Sequence, residues 1–371
     1  MYEDVIFLNI GIIGGDLRII RLAEMYAKEN NKVYTYGLEK YSNLVNQGRE
    51  ESLNIDISKM EMNNKTLQEN IDTKQSIKRE NIIKCNNIER KMILCDSIKE
   101  VITNAEVIIS SMPFSKDGVY INAPFSKEKI GIAELEKELI HVINNKRKME
   151  NEKNTNSKTI EFIAGGIPKE FLKEYDITEN EEECIYLKGD DNQPYEKFKT
   201  ADVKIIDLLE SERLTILNAI ATVEGTIKIA IQEREETIFE SNVLVCGFGR
   251  IGKIMCDRFK SLGANIYCTA RKEKDLTWIR EKRYIPLTYD KVAENGEKFD
   301  LVINTVPTLV LREKELNSFK QDVLIIDVAS NPGGIDKDYA MQKNIKVITA
   351  LGIPGKEMPK AAARFIKGEI L

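Results

Sequence analysis

The stretch "NVLVCGFGRIGK", residues 242–253, limits the folds open to this chain more than any other. A short apolar run, Asn242 to Cys246, meets Gly247, Gly249 and Gly252 in the spacing G-x-G-x-x-G. Apolar residues then recur at Ile251, Ile254, Met255 and Phe259 until Gly263 ends the pattern. Strand, tight turn and amphipathic helix in that order are what a dinucleotide-binding βαβ unit requires. The first glycine permits the turn, the second lets backbone approach a pyrophosphate, and the third lets helix and strand pack closely. The helix start offers N–H groups to the phosphates, so Gly247, Gly249, Arg250, Ile251 and Gly252 form the expected cofactor turn. The competing reading is a glycine turn that serves packing alone.

Alternation continues downstream. Strands are expected at 242–246, 265–270, 300–304, 323–328 and 345–349, with helices at 250–262 and 273–282. Strands that alternate with helices imply a parallel sheet covered on both faces. Near the N-terminus, Val5 to Ile13 runs into "GGDLR" and an amphipathic stretch through Ile19, Ile20, Leu22, Ala23 and Tyr26. A second strand starts at Lys32, so this is another βαβ opening with glycines at its first turn. In between, the spacing of Leu209, Leu214, Leu217, Ile220, Ala221 and Ile227 predicts a helix over 205–234.

The expected fold is therefore α/β, with two doubly wound parallel-sheet domains joined by a long helix. Residues 1–235 form the substrate and catalytic domain, and 236–371 a Rossmann NAD(P)-binding domain; 371 residues suit two such units. Low apolar density marks polar insertions near 58–90 and 144–158.

Composition removes whole mechanisms. The chain has a single histidine, His141, so serine-hydrolase triads, His-ligated metals and the His–acid pair of 2-hydroxy-acid dehydrogenases are not expected. Six scattered cysteines, at 85, 95, 184, 246, 256 and 268, fit buried thiols in a reducing cytoplasm rather than disulfides or a metal site. A net charge of −5 without a basic stripe argues against nucleic acid. Acidic residues at the N-terminus, and the reading that no apolar run reaches membrane-spanning length, argue against secretion and a membrane.

The second strand of the fingerprint ends about 20 residues on, where NAD-preferring sites carry an acid for the ribose hydroxyl. Here Arg271 and Lys272 stand instead, so NADP is expected over NAD. The alternative is a solvated basic loop. Ligands of open α/β sheets sit beyond the carboxyl ends of strands. "NTVP" and "ASNPGG" end two strands, so Thr305, Val306, Pro307, Ala329 and Ser330 are expected on the nicotinamide side. The segment "LGIPGK", 351–356, is expected to be a loop closing toward substrate.

Several pieces in order carry a resemblance: "GGDLR" at 14–18, "SKDGVYINAPFS" at 115–126 and "ERLTILNAIATVEGTIKIAI" at 212–231. "VLVCGFGRIGK" at 243–253, "IIDVASNPGG" at 325–334 and "ALGIPGKEMPKAAARFI" at 350–366 complete it. Together they resemble the dipicolinate synthase A-subunit family. One departure is Ala221, where the family usually has proline. The resemblance implies oxidation of a dihydrodipicolinate, formed from the lysine pathway, with NAD(P)⁺ as acceptor. It also implies a homo- or hetero-oligomer, a flavoprotein-like partner (the B-subunit), and work in the mother-cell cytoplasm during sporulation. Aromatising such a dicarboxylate needs a hydride acceptor, a proton acceptor and cationic or N–H donors for the carboxylates. On that basis Asp16, Asp117 and Lys127 are the expected catalytic group. Arg18, Ser115, Lys116, Asn122, Asn218, Thr222 and Glu224 are the expected substrate contacts. Helix or turn capping competes for the aspartates, and surface charge for the cations. Two other functions stay open: a dehydrogenase of the shikimate or alanine dehydrogenase kind, and a non-catalytic NADP-binding partner protein.

Overall fold

The computed structural model describes residues 8–41, 92–153, 159–168, 170–171, 196–199 and 203–370; the expected insertion at 58–90 lies outside them. The chain forms two compact units, Met1–Thr215 with Pro359–Leu371, and Ile216–Met358.

In the first unit, β1 (Asn9–Ile13) leads into α1 (Leu17–Lys28) and β2 (Lys32–Tyr36). Then come β3 (Met92–Leu94), α2 (Ile98–Asn104), β4 (Val107–Ser110), α3 (Ile132–Lys153) and β5 (Ile160–Ala164). β6 (Glu196–Lys199) and β7 (Val203–Asp207) complete a sheet in the order β3-β2-β1-β4-β5-β7-β6. All pairings are parallel except β6 with β7, so one antiparallel edge strand departs from the all-parallel expectation. Ile10 and Ile12 pack with Ile19, Ile20 and Leu22 of α1 on one face. On the other, Ile108 and Phe162 pack with Val101 and Ile102 of α2 and Leu135 and Leu139 of α3. Both faces are thus covered, as the apolar strands demand.

Two local expectations change. The segment 144–153 continues α3 rather than interrupting it, because Lys, Glu, Arg and Met favour a helix even without an apolar face. Residues 205–207 are strand, not helix: Ile205 and Ile206 are buried in the sheet beside β5. The helix α4 (Glu212–Glu233) starts only after Ser211, whose Oγ accepts the Leu214 N–H at 3.1 Å. By length and composition α4 is apolar enough to cross a membrane, which corrects the reading that no run reaches that length. A core helix passes the same test, and α4 buries Leu214, Ala219, Ala221, Val223, Thr226 and Ala230.

The second unit contains β8 (Asn242–Cys246), α5 (Arg250–Ser261), β9 (Asn265–Thr269), α6 (Glu273–Glu281) and β10 (Ile285–Leu287). β11 (Leu301–Asn304), α7 (Glu313–Ser318), β12 (Leu324–Asp327), α8 (Lys337–Gln342), β13 (Lys346–Thr349) and α9 (Ile353–Lys356) follow. Its sheet runs β10-β9-β8-β11-β12-β13 with every pairing parallel. Counted from β8 this is the 3-2-1-4-5-6 order of a dinucleotide-binding fold. β10 lies outside the expected strands; Pro286 is tolerated there because the strand lies at an edge.

The last helix, α10 (Pro359–Ile370), belongs to the first unit, which moves it out of the expected 236–371 domain. Ala363 and Ile366 join the α1 core, and Lys367 reaches both Glu29 and the Tyr26 ring. Glu369 is buried and accepts from Ser211 Oγ at 2.8 Å and from Arg213. These contacts are non-local, so no pattern near residue 236 announces them.

Candidate functional site

The glycine turn sits at the carboxyl end of β8. Gly247 has φ +99°, a conformation side-chain-bearing residues rarely adopt. A Cβ on it would lie 2.7 Å from Val306 Cγ2 and 2.8 Å from Thr305 Oγ1, so the loops after β8 and β11 meet here. A Cβ on Gly252 would come 2.0 Å from the Gly247 carbonyl oxygen, which fixes how closely α5 packs on the turn. Gly249 is different: its backbone is extended and, among the described residues, no atom lies within 4 Å of where a Cβ would stand. The turn is pinned by the Gly247 N–H, which donates to Thr269 Oγ1 at 3.0 Å. Among the described residues, no side chain caps the N-terminus of α5, a helix of 12 residues. Arg250, Ile251 and Gly252 thus open a helix whose positive end faces open space beside Gly249. Those residues fit a pyrophosphate.

Arg271 and Lys272 follow β9 and are exposed, with Lys272 at the N-cap of α6. Sequence reasoning passed over Tyr289, which lies in a turn after the unexpected β10. Burial raises its phenol above the usual range, opposed by its hydrogen bond with Thr269 and by the Arg271 charge. Tyr289 therefore belongs to the same sheet edge as the glycine turn. At the next strand end, Thr305 bonds back to the Cys246 carbonyl through N–H at 3.1 Å and Oγ1 at 2.8 Å. Val306 is half-buried, Pro307 and Ser330 are exposed, and Ala329 is buried. The segment expected as a closing loop, 351–356, is instead largely the short helix α9. It packs so tightly on α4 that a Cβ on Gly225 would come 2.2 Å from Ile353 Cγ2. That contact explains a glycine inside a long helix.

On the other half of α4, the Thr222 hydroxyl donates to the Asn218 carbonyl at 2.8 Å, so these two share a face. Asn218 Oδ1 is buried without a hydrogen-bond partner among the described residues, whereas Glu224 points to solvent.

In the first unit, Asp16 caps α1 by accepting the Arg18 N–H at 2.9 Å. The Arg18 guanidinium folds back on the same carboxylate, with Nε 3.1 Å from each oxygen and Nη2 2.7 Å from Oδ2. Nη2 also donates to the Met112 carbonyl in the loop after β4. Arg18 is only 7% exposed, and its Nη1 has no partner among the described residues. Asn122 joins this edge through backbone: its carbonyl accepts the Gly15 N–H at 3.1 Å and its N–H donates to Phe114.

Ser115, Lys116 and Asp117 lie in a separate exposed turn. Asp117 Oδ1 accepts the N–H groups of Val119 and Tyr120, each at 2.9 Å, and Ser115 Oγ accepts that of Gly118 at 2.9 Å. The bonds from Tyr120 and Val119 hold the Asp117 carboxyl below its ordinary range, so it is ionised and occupied with the turn. Lys127 is exposed; its N–H donates to Glu39 Oε2 at 3.0 Å. Asp16, Asn122 and Arg18 are thus brought together, while Asp117, Lys116 and Lys127 stay on the loop surface. His141 is exposed on α3, near Asn145 Nδ2 at 3.0 Å and Lys99 Nζ at 3.5 Å.

A parallel sheet in this order, an open helix N-terminus and a glycine turn define a dinucleotide-binding unit of the dehydrogenase type, paired with a second doubly wound unit. Residues 214–342 match the family described as D-isomer specific 2-hydroxyacid dehydrogenase, NAD binding domain. The cofactor class is therefore a nicotinamide dinucleotide. The chain is 37% identical over 196 residues to the dipicolinate synthase A-subunit of Bacillus subtilis, covering 53% of this chain and 66% of that one. This chain is a homologue of the dipicolinate synthase A-subunit. The aligned part falls just short of two thirds of that relative's length. A shorter likeness, 25% over 118 residues, links it to shikimate dehydrogenase (NADP(+)) of Methanococcus maripaludis, covering 29% of this chain and 42% of that one. Two solved structures share the fold. The dipicolinate synthase A-subunit from Bacillus halodurans superposes with a TM-score of 0.64 at 22% identity, covering 98% and 97% of the two chains. Its counterpart from Bacillus subtilis gives 0.62 at 24%, covering 99% and 95%.

Proposed function

We propose that this chain is the NADP-linked oxidoreductase component that converts a dihydrodipicolinate, formed from the lysine-pathway intermediate, into dipicolinate for spore formation. The observation that carries this reading is its 37% identity with the dipicolinate synthase A-subunit. Aromatising the ring removes a hydride and a proton, and a nicotinamide dinucleotide, when bound, would supply the hydride acceptor. The chain's own residues then have separable tasks. The amides that open α5 hold the pyrophosphate, with Gly249 keeping the approach clear. Arg271 and Lys272 hold the 2′-phosphate, for which an acid at this position would be repulsive. Thr305, Val306, Pro307, Ala329 and Ser330 receive the nicotinamide end. Arg18 supplies the carboxylate fork in the first unit; its geometry is set in advance by Asp16 and the Met112 carbonyl. A single histidine, exposed on α3, supports a reaction other than the His–acid chemistry of 2-hydroxy acids.

Work in the mother-cell cytoplasm and pairing with a flavoprotein-like B-subunit are parts of the same proposal. The test is direct. The purified chain is given the enzymatically generated lysine-pathway intermediate with NADP⁺ or NAD⁺, with and without the B-subunit. Reduced nicotinamide is followed by absorbance and dipicolinate by terbium luminescence. Dipicolinate formed faster with NADP⁺ supports the reading. Oxidation of shikimate instead would favour the second enzyme reading, toward which the shikimate dehydrogenase likeness points. Cofactor binding without turnover in any combination would leave a non-catalytic partner protein.

A further inference from the structure

Besides Thr269, two further polar residues are buried at strand ends of the second unit, where apolar ones would pack without cost. Asn304 ends β11 at 0% exposure, and Asp327 ends β12 at 1%. Asn304 Nδ2 donates to Asp327 Oδ1 at 2.8 Å and to the Val306 carbonyl at 2.9 Å. Asn304 Oδ1 accepts the Val306 N–H at 3.1 Å. Asp327 Oδ1 accepts the Ala329 N–H at 3.2 Å, and Oδ2 accepts the Gly334 N–H at 3.4 Å. Two side chains thus tie the loop after β11 to the loop after β12.

The glycines of "NPGG" match this arrangement. Gly333 has φ +89°, and a Cβ on it would come 2.7 Å from Asp327 Oδ2. A Cβ on Gly334 would come 2.5 Å from Asn304 Nδ2 and 2.6 Å from the Val306 carbonyl. The backbone therefore approaches the pair as closely as it can. Burying a carboxyl group is costly unless hydrogen bonds satisfy it, and strand packing alone does not call for one.

We infer that Asn304 and Asp327 are positioning residues for the nicotinamide half of the cofactor. They fix Thr305, Val306, Ala329 and Ser330 at the carboxyl edge of the sheet without touching the ligand themselves. The inference rests on the nicotinamide-binding reading of this unit. The adenosine half is served by other groups, the glycine turn and Arg271, so the two halves separate in an experiment.

Asp327→Asn keeps the shape of the side chain but turns one acceptor into a donor against Gly334 or Asn304. The full-length variant and parent are titrated calorimetrically with NADPH and with 2′-phosphoadenosine 5′-diphosphoribose, which lacks the nicotinamide. The NADPH Kd should rise about tenfold as the nicotinamide loops shift, while the fragment Kd stays within about twofold of the parent. Asn304→Ser, which removes the Nδ2 tie without adding a charge, should give the same split and serves if Asp327→Asn does not fold. Equal weakening of both ligands would mark the network as structural only, and an unchanged NADPH Kd would mark it as idle; either overturns the inference. A parent that binds neither ligand would overturn the nicotinamide reading itself, and this inference with it. A parent that binds both while the variants show no split would overturn the inference alone.

Discussion

Replacing Gly249 by valine should remove dinucleotide binding while leaving the second unit folded. The backbone at Gly249, φ −81° and ψ −163°, is extended, a region open to residues with side chains. Among the described residues nothing lies within 4 Å of the new Cβ, so no steric cost is expected in the free protein. Losing glycine at an N-cap costs about 0.5–1 kcal/mol. Restricting the unfolded chain returns about 0.4–1 kcal/mol. The two nearly cancel, and the melting temperature should move by no more than about 4 °C. Binding is another matter, because the isopropyl group fills the space in front of α5. Each phosphate–amide bond is charge-assisted and worth about 1.5–3 kcal/mol. Loss of two would weaken NADPH by roughly 150-fold or more. Gly252→Ala supplies the contrast. Its Cβ would meet the Gly247 carbonyl oxygen at 2.0 Å, so helix and strand must part and stability falls with affinity. The assay is NADPH fluorescence titration beside thermal unfolding for both variants. A Gly249→Val protein that binds NADPH like the parent, or that melts as early as Gly252→Ala, would refute the reasoning.

Replacing Arg271 by Asp should weaken NADP⁺ by roughly ten- to a hundredfold and leave NAD⁺ little changed, read as two dissociation constants; an unchanged ratio would leave Arg271 a solvated residue. Asp16→Asn keeps the cap acceptor but loses the charge beside Arg18, so KM for the dicarboxylate should rise with kcat retained. A fall in kcat with KM unchanged would instead make Asp16 the base. Gly225→Ala should destabilise the chain by about 1–3 kcal/mol, because overpacking Ile353 exceeds the gain of about 1 kcal/mol in helix propensity; urea unfolding decides it. At Asp300, burial would raise the carboxyl, but Lys320 and the Asn242 N–H at 2.7 Å outweigh it and hold the pKa below the ordinary value. Its contribution is full above the unfolded pKa and lost as pH falls through the folded one. Asp300→Asn should therefore lower stability at neutral pH and flatten its decline below about pH 4, as urea midpoints against pH would reveal.

What was legible in the sequence was local. The turn at Gly247, Gly249 and Gly252 could be read because strand, turn and helix are contiguous and each glycine has its own steric reason. The parallel sheets followed from the alternation of strands with helices. The stretch at 144–153 misled because low apolar density is common to loops and to helix segments rich in Lys and Glu. Residues 205–207 misled because a buried Ile-Ile pair suits strand and helix alike. The return of α10, the pair Asn304–Asp327 and Tyr289 beside Arg271 all join residues far apart in sequence or on strands not foreseen. No local period carries such contacts. Asp117 was a nearer miss: Ser and Asp ahead of Gly118 form a turn whose own amides claim the carboxylate.

The two units repeat the same opening order around β1 and around β8, yet they treat the first helix in opposite ways. At β8 the chain puts Gly249 at the N-cap, which leaves the positive end of α5 open to a ligand. At β1 it puts Asp16 there, whose carboxylate caps α1 from within and is itself bound by Arg18. An internal carboxylate at that position takes the place a phosphate would need, so the first unit has the topology of a nucleotide fold without its phosphate cradle. What it offers instead is a buried arginine with a donor to spare, suited to a carboxylate rather than a pyrophosphate. Topology alone would assign both units the same ligand. The residue at one helix N-cap tells them apart.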